Sequence, residues 1–225
     1  MNVNPAASAL APLVVDSNAM PFAPSPQPGV WRKRLRHEGE AERGRVTSIV
    51  RFDPGARFAH HEHPEGEEIL VLEGAFADEQ GSYPAGTYIF NPDGYAHSVW
   101  SNQGCLLFVK LRHYPGKQRQ RIVRHWPSLP AKPGLAAGSK SRILYEQAGQ
   151  PERVRIVRLP PGCEVPLHAH PEGEEILVLE GGIVDEHVSC GPGVWVSYPR
   201  ASQHQPASPR GALAYVRSGG SSAWG

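Results

Sequence analysis

The sequence predicts an all-β protein built from two tandem copies of one unit, and two observations carry this prediction. The first is a repeat: the twelve residues HPEGEEILVLEG occupy positions 63–74 and return unchanged at positions 170–181. The second is composition, because 24 glycines and 23 prolines among 225 residues exceed their usual combined share of about 12%. This surplus argues against helix bundles and favours many short strands joined by tight turns.

The repeat extends well beyond its identical core. At the same offset of 107 residues that separates positions 63 and 170, Gly55 corresponds to Gly162 and Gly86 to Gly193. The chain is therefore interpreted as a tandem duplication with flanking segments. We expect an extended arm over 1–30, a first domain over 31–124, a linker over 125–137, a second domain over 138–218 and a flexible tail over 219–225.

Each unit is predicted to consist of short strands separated by turns. Two runs, 46–52 and 154–159, are rich in β-branched residues and end at proline–glycine sequences that strands seldom cross. The apolar run 68–72 is ambiguous by periodicity, but its length and flanking glycines favour a strand. Further strands are predicted at 87–90, 99–100 and 106–111. Strands at this spacing, without a helical stretch, predict a sandwich or a small barrel.

The composition excludes several classes of protein. Lysine and arginine number 23 against 22 acidic residues, so we expect no nucleic-acid partner. The mean hydropathy of -0.40 and the lack of a long apolar run argue against a membrane protein. Cys105, Cys163 and Cys190 form no C-x-x-C pair, which fits a reducing compartment. Because the first residues also lack the features of a signal peptide, we expect a cytoplasmic protein.

Six of the eleven histidines occupy repeat-matched positions. In each unit a His-x-His sequence is followed four residues later by a glutamate and, further along, by a third histidine. Residues two apart on a strand project to the same face, and the Pro-Glu-Gly turn can bring the glutamate back beside them. Three imidazoles and one carboxylate that converge in this way suit a divalent transition metal. The two sets are His61, His63, Glu67 and His97, and His168, His170, Glu174 and His204.

These residues match the spacing of the two cupin motifs. The first motif is present at Gly55, His61, His63, Glu67 and Gly74, and again at Gly162, His168, His170, Glu174 and Gly181. The second motif is complete at Gly86, Pro92, Gly94 and His97. The chain therefore resembles a two-domain cupin, or bicupin, and its repeated sequence is most similar to the ChrR-type cupin domain of an anti-sigma factor. That resemblance implies two tandem jelly-roll β-barrels, each with a metal held by three histidines and one glutamate.

The sequence departs from the family pattern at several positions. Ala201 replaces the second-motif glycine in the second copy, which we expect to reshape the loop that carries His204. Ser101 and Ser208 stand where an asparagine usually follows the last histidine. The anti-sigma protein also has an N-terminal zinc-binding segment, whereas residues 1–30 contain neither histidine nor cysteine. We therefore expect no sigma-factor partner.

Charged residues near the motifs have two interpretations each. Strand alternation predicts that Glu68 and Glu175 face solvent. Alternatively, either residue takes the place of the glutamate before it as a metal ligand. The acidic pairs at 78–79 and 185–186 are expected in solvated turns; alternatively, they orient a ligand imidazole. Arg51 and Arg158 are expected on an outer sheet face, with a role in binding a substrate carboxylate as the alternative.

Two classes of function remain open, because cupins carry very different activities. We favour a metal-binding or sensor module without a defined activity, as the ChrR resemblance implies. The alternative is a metal-dependent dioxygenase, or another oxidoreductase, that acts on a dicarbonyl or similar chelating substrate. Zinc is the expected metal, with iron, nickel or manganese as alternatives. A small-molecule ligand is compatible with both classes, and the chain is expected to be a monomer or a homodimer.

Overall fold

The computed structural model of the chain describes residues 11–40, 43–116 and 118–219. These residues contain no α-helix, and short strands joined by turns confirm the predicted all-β class. Short 3-10 helices lie at Ser17–Ala19 and Trp126–Ser128. The described residues hold no helix with the length and hydropathy needed to cross a bilayer.

The strands fall into two series in chain order. The first series is β1 (Leu13–Asp16), β2 (Ala23–Pro24), β3 (Val30–Glu38), β4 (Arg45–Phe52), β5 (Arg57–His63), β6 (Glu67–Asp78), β7 (Gly81–Pro84), β8 (Thr87–Asn91), β9 (Tyr95–Trp100), β10 (Cys105–Leu111) and β11 (Ile122–His125). The second series is β12 (Lys132–Pro133), β13 (Lys140–Glu146), β14 (Arg153–Leu159), β15 (Cys163–Glu164), β16 (His168–His170), β17 (Glu174–Gly181), β18 (Ile183–Val184), β19 (Ser189–Cys190), β20 (Val194–Tyr198), β21 (Ser202–His204), β22 (Ala207–Ser208) and β23 (Ala212–Ser218).

The chain forms two compact units, and each is a jelly-roll barrel. Among the described residues, the first barrel spans Ser17–Leu129, and the second combines residues 11–16 with residues 130–219. In the first barrel the main sheet has the order β11-β8-β6-β10-β4-β3-β2, and β5 pairs with β9. The second barrel repeats this arrangement as β1-β20-β17-β23-β14-β13-β12, with β16 paired to β21. The duplication in the sequence is thus a duplication of strand topology.

One edge of each main sheet is formed by a strand that the sequence analysis did not predict. Strand β1 pairs with β20 in the second barrel, and β11 pairs with β8 in the first barrel. Contacts therefore divide the chain after Asp16 and after Leu129, whereas the repeat places an undivided arm over 1–30 and a linker over 125–137. Pairing at a sheet edge satisfies the backbone N–H and C=O groups of an extended segment. Strand periodicity does not reveal which edge accepts it.

Each barrel has a separate apolar core that lies between its sheets. The cores contain many repeat-matched residues, such as Val71 with Val178 and Ile69 with Ile176. Cys105 belongs to the first core, and Cys163 and Cys190 belong to the second. All three cysteines are buried and free.

The glutamates that follow the candidate ligands occupy the opposite face of each main sheet. Glu68 and Glu175 are buried there, so the expectation that they face solvent is wrong. Glu68 accepts a hydrogen bond from the Tyr114 hydroxyl. Glu175 lies opposite Arg217 in the strand register, with Oε1 at 3.4 Å from Nη1. Burial is tolerated because each carboxylate has a polar or charged partner.

Candidate metal centres

Strand pairing brings the histidines of each barrel together. In the first barrel His61 lies directly opposite His97 in the register of β5 and β9. In the second barrel His168 lies opposite His204 in the register of β16 and β21. A histidine two residues further along each first strand projects to the same side. The sequence pattern therefore places three imidazoles on one surface in both barrels.

In the first barrel the predicted ligands converge on one small region. The Nε2 atoms of His63 and His97 are 2.9 Å apart, and Glu67 Oε2 lies 3.3 Å and 3.6 Å from them. The ring of His61 is centred 4.6 Å from that of His63 and 5.3 Å from that of His97. His61, His63 and His97 each offer a ligand atom within 4.8 Å of the others, and Glu67 borders two of them.

In the second barrel all four predicted residues form one group. Ligand atoms of His168, His170, Glu174 and His204 lie within 4.8 Å of one another. Oε2 of Glu174 is 3.4 Å from Nε2 of His170 and 3.4 Å from Nε2 of His204. The sequence comparison with the cupin motifs thus selected residues that the fold brings together.

The separations between these atoms fit a metal ion. Two ligand atoms bound at about 2.1 Å are about 3.0 Å apart at a right angle and about 3.4 Å apart at the tetrahedral angle. The observed 2.9 Å between His63 and His97, and 3.4 Å between Glu174 and His170, match those values. Among the described residues, the buried Nε2 atoms of His170 and His204 have no hydrogen-bond partner. Both groups could therefore hold a divalent metal ion.

Burial favours neutral imidazoles in the first barrel. Removal from solvent, with a smaller contribution from His61, lowers the pKa of His63 to about 3. Burial also lowers the pKa of His97 and raises the pKa of Glu67. Neutral imidazole is the form that binds a metal, so His63 and His97 need no deprotonation at neutral pH.

The second barrel differs in its electrostatics. Burial alone would lower the pKa of His204, but its hydrogen bond to Asp185 and the adjacent Glu174 carboxylate raise that pKa to about 9. Burial likewise opposes ionisation of Glu174, yet His204 and His170 lower the pKa of this carboxyl. Burial lowers the pKa of His170. The two centres therefore have the same ligand types in different charge environments.

The aspartates after the ligand strands are not solvated, contrary to the expected turn. The side chain of Asp185 is buried, and its Oδ2 lies 2.9 Å from His204 Nδ1 and accepts a hydrogen bond from the Tyr198 hydroxyl at 2.5 Å. The buried Asp78 carboxylate lies 3.6 Å from His97 Nδ1. This position agrees with the alternative prediction, in which the aspartate orients a ligand imidazole through its Nδ1 atom.

The glutamates of the same acidic pairs remain exposed. Glu79 accepts a hydrogen bond from the backbone N–H of Ser98 at 2.7 Å, and Glu186 accepts one from Gln205 at 3.3 Å. The solvated-turn interpretation therefore holds for these glutamates but not for their aspartate neighbours.

Arg121 supports the first centre, and the sequence comparison did not identify it. Its Nε donates to Asn91 Oδ1 at 3.1 Å, and Asn91 Nδ2 donates to Glu67 Oε2 at 2.9 Å. Its Nη2 donates to Asp78 at 2.9 Å. Arg121 lies beyond the repeat-matched segment, so no counterpart in the other copy marked it. Comparison of the two copies could have identified Asn91, because the matched position in the second copy is Tyr198 and the two residues differ in chemistry.

A cavity lies beside each ligand group. The first has a volume of about 160 Å³ and the second about 310 Å³. Four large side chains in the first lining have smaller repeat counterparts in the second, which enlarges the second cavity. The pairs are Phe52 and Leu159, Phe58 and Val165, Phe76 and Ile183, and Leu111 and Ser218. Arg51 and Arg158 belong to neither lining.

Ala201 does not reshape the loop before His204, contrary to expectation. Its φ of 59° lies in the same left-handed region as the φ of 81° at the matched Gly94. The Ala201 N–H donates to His170 O at 2.9 Å, as the Gly94 N–H donates to His63 O at 3.0 Å. The hydrogen bond retains the turn, although an alanine in this conformation is strained.

The fold and the paired sites define a two-domain jelly-roll protein of the cupin type. The model of the ChrR cupin-like domain matches residues 10–115 and 119–222. The chain therefore belongs to the ChrR cupin-like family, as its motifs predicted. It matches none of the curated proteins in sequence.

Several solved structures are similar to this chain. A candidate dioxygenase from Nostoc punctiforme is 16% identical with a TM-score of 0.76, over 92% of this chain and 82% of that one. A candidate glyoxylate-induced protein from Pseudomonas aeruginosa is 17% identical with a TM-score of 0.75, over 96% and 93%. Oxalate decarboxylase from Bacillus subtilis, described with Mn(II) centres, is 12% identical with a TM-score of 0.66, over 94% and 78%. These similarities establish the fold.

Proposed function

We propose that this protein is a metal-binding bicupin that holds one divalent transition metal ion in each barrel. The first ion would be held by His61, His63, Glu67 and His97, and the second by His168, His170, Glu174 and His204. The observation that carries the proposal is the convergence of imidazole and carboxylate atoms at ligand-like separations in both barrels. The orphaned nitrogens in the second barrel support it further.

Zinc is the metal that we propose, with iron, nickel or manganese as alternatives. All four accept imidazole and carboxylate ligands, and availability often decides among them. A bound metal would supply Lewis acidity, and it would also stabilise the fold because it binds only the native arrangement. The chain supplies imidazoles on paired strands, which fixes their positions before the metal binds.

The test is elemental analysis of the full-length protein after equilibration with zinc and removal of free metal. We expect two equivalents in the wild type and one in each of two double variants, His61→Ala/His63→Ala and His168→Ala/His170→Ala. His187→Ala is the matched control, because His187 belongs to neither group. Wild-type protein without stoichiometric metal, or double variants that retain two equivalents, would contradict the proposal.

A metal-dependent dioxygenase is the second candidate function. The cavity beside each ligand group favours it, because a small molecule in the cavity would lie next to the metal. The candidate dioxygenase of similar fold gives weaker support. Oxygen uptake should be measured with dicarbonyl substrates after reconstitution with iron, manganese or nickel. Uptake that survives loss of both centres in the combined double variants would exclude this function.

We also propose a cytoplasmic location, which the free state of all three buried cysteines supports. Fractionation of cells that produce the protein at its natural level would test this proposal. Recovery outside the cytoplasmic fraction would contradict it.

A further inference from the structure

The main sheet of each barrel contributes one arginine to its cavity wall, but these two arginines lie on different strands. Arg112, which follows β10, also lines the first cavity. Arg32 on β3 lies opposite Val50, whereas Ser141 on β13 lies opposite Val157, the repeat counterpart of Val50. On the neighbouring strand the residues are reversed, because Ser48 in the first barrel corresponds to Arg155 in the second. All four polar residues line a cavity.

The two barrels have therefore exchanged an arginine and a serine between adjacent wall positions. Packing of the strands does not require this, because the same topology accepts either residue at either position. What both cavities retain is a guanidinium together with a hydroxyl beside the metal ligands. The retained feature is a cation inside the cavity rather than an arginine on one strand, and a cation in a cavity points to an anionic ligand.

The position of Arg155 supports a role beyond charge balance within the protein. Its Nη2 lies 4.0 Å from Glu174 Oε1, which is too long for a hydrogen bond. Its Nε is buried and has no hydrogen-bond partner in the part of the chain that the structure describes. A metal ion would itself balance the charge of Glu174. Donor groups of Arg155 are thus available to a ligand.

We propose that Arg155 binds the carboxylate of a short-chain organic acid in the cavity of the second barrel. A guanidinium matches a carboxylate in a planar, bidentate arrangement. Apolar residues such as Val157, Ile176 and Val216 line the same cavity and would contact the hydrocarbon part of the acid. The volume of about 310 Å³ leaves room for a chain of several carbon atoms. This inference rests on the proposed metal centre, beside which the acid would lie.

The test uses the full-length protein loaded with Co(II), a spectroscopic probe, and titrated with butyrate or with neutral butyramide. We expect butyrate to change the cobalt absorption bands saturably and butyramide to have little effect. Arg155→Met should raise the Kd of one butyrate site about tenfold to a hundredfold, as expected for lost charge-assisted hydrogen bonds. Arg158→Met is the control, because Arg158 lies on the same strand but outside the cavity lining.

A relocation variant tests the mechanism and guards against misfolding. Arg155→Ser combined with Ser141→Arg reproduces the arrangement of the first barrel, and we expect it to recover butyrate binding. Unchanged butyrate affinity in Arg155→Met would overturn the inference while leaving the metal centre intact. The inference would also be overturned if Arg155→Met lost affinity for cobalt while the cobalt-loaded second site kept its affinity for butyrate. Arg155 would then only position Glu174. Failure of the second centre to bind cobalt would instead refute the proposed function.

Discussion

The Nδ1 atom of His204 lies 2.9 Å from Oδ2 of Asp185, close enough for a hydrogen bond that orients the imidazole. The matched atoms of His97 and Asp78 are 3.6 Å apart, and Asp78 instead accepts a hydrogen bond from Arg121. The same sequence pattern therefore gives two candidate metal centres in which different residues support the third histidine.

Asp185→Asn should weaken metal binding at the second centre about tenfold to a hundredfold, as for other outer partners of metal-bound histidines. The physical reason is that the amide is a weaker acceptor for the His204 N–H. Asp78→Asn is the matched control. We expect a smaller loss of metal affinity at the first centre, because Asp78 makes no hydrogen bond to His97. Competition with a chromophoric chelator measures both affinities. Equal losses in the two variants would contradict this prediction.

Arg121→Met should destabilise the first barrel by about 2 kcal/mol, because hydrogen bonds to charged groups contribute that much. The variant leaves buried Asp78 without its cation and Asn91 without the donor that orients it. Unfolding in urea gives the stability, and elemental analysis should show metal loss confined to the first centre. Metal loss from the second centre would show that Arg121 acts differently.

Ala201→Gly should stabilise the protein by about 1 kcal/mol, because glycine adopts a positive φ without the clash of a Cβ atom. The reciprocal change Gly94→Ala should destabilise by a similar amount. Urea unfolding of both variants checks the prediction. A destabilised Ala201→Gly variant would show that the alanine methyl group contributes to packing.

Deletion of residues 1–16 should loosen the second barrel and leave the first intact. The deletion removes β1, whose four residues pair with β20, and so exposes an unsatisfied sheet edge. Hydrogen exchange should accelerate in Val194–Tyr198 but not in Thr87–Asn91. Deletion of residues 1–10 retains β1 and serves as the control. Uniform acceleration in both strands would contradict the assignment of β1 to the second barrel.

The cysteines should not react with thiol reagents in the native protein at pH 8. Burial raises the pKa of Cys105 and of Cys190 to about 11, so only about one thiol in a thousand is ionised at that pH. Burial also raises the pKa of Cys163. Because the thiolate is the reactive form, reactivity should rise with pH and reach three equivalents after unfolding. Rapid labelling of one native cysteine would oppose this prediction.

The ligand groups were predictable from sequence because strand geometry and one short turn determine their convergence. His61 and His63 share a face by alternation, and Glu67 follows them across a four-residue spacing. The repeat supports each candidate ligand, because the same residue type stands at the matched position of the other copy. Both barrels and all eight candidate residues follow from this information.

Other features depend on contacts that residue patterns do not encode. Alternation correctly placed Glu68 on the face away from the candidate ligands. It could not show that Glu68 would be buried there and hydrogen-bonded to Tyr114. Arg121 reaches the first centre from outside the aligned repeat. The partner of an edge strand such as β1 depends on which sheet edge is open, and that is a property of the folded barrel.

Because β1 belongs to the second barrel, only the first barrel is built from one continuous segment of the chain. The first barrel is one uninterrupted stretch of chain, so a gene fragment could encode it whole. The second barrel draws on both ends of the polypeptide, and synthesis of its last strands must finish before its early edge strand has a complete sheet to join. A circular permutation that joins the end of the second repeat to Leu13 would make the second barrel one continuous stretch of chain, and would allow each candidate metal centre to be studied alone.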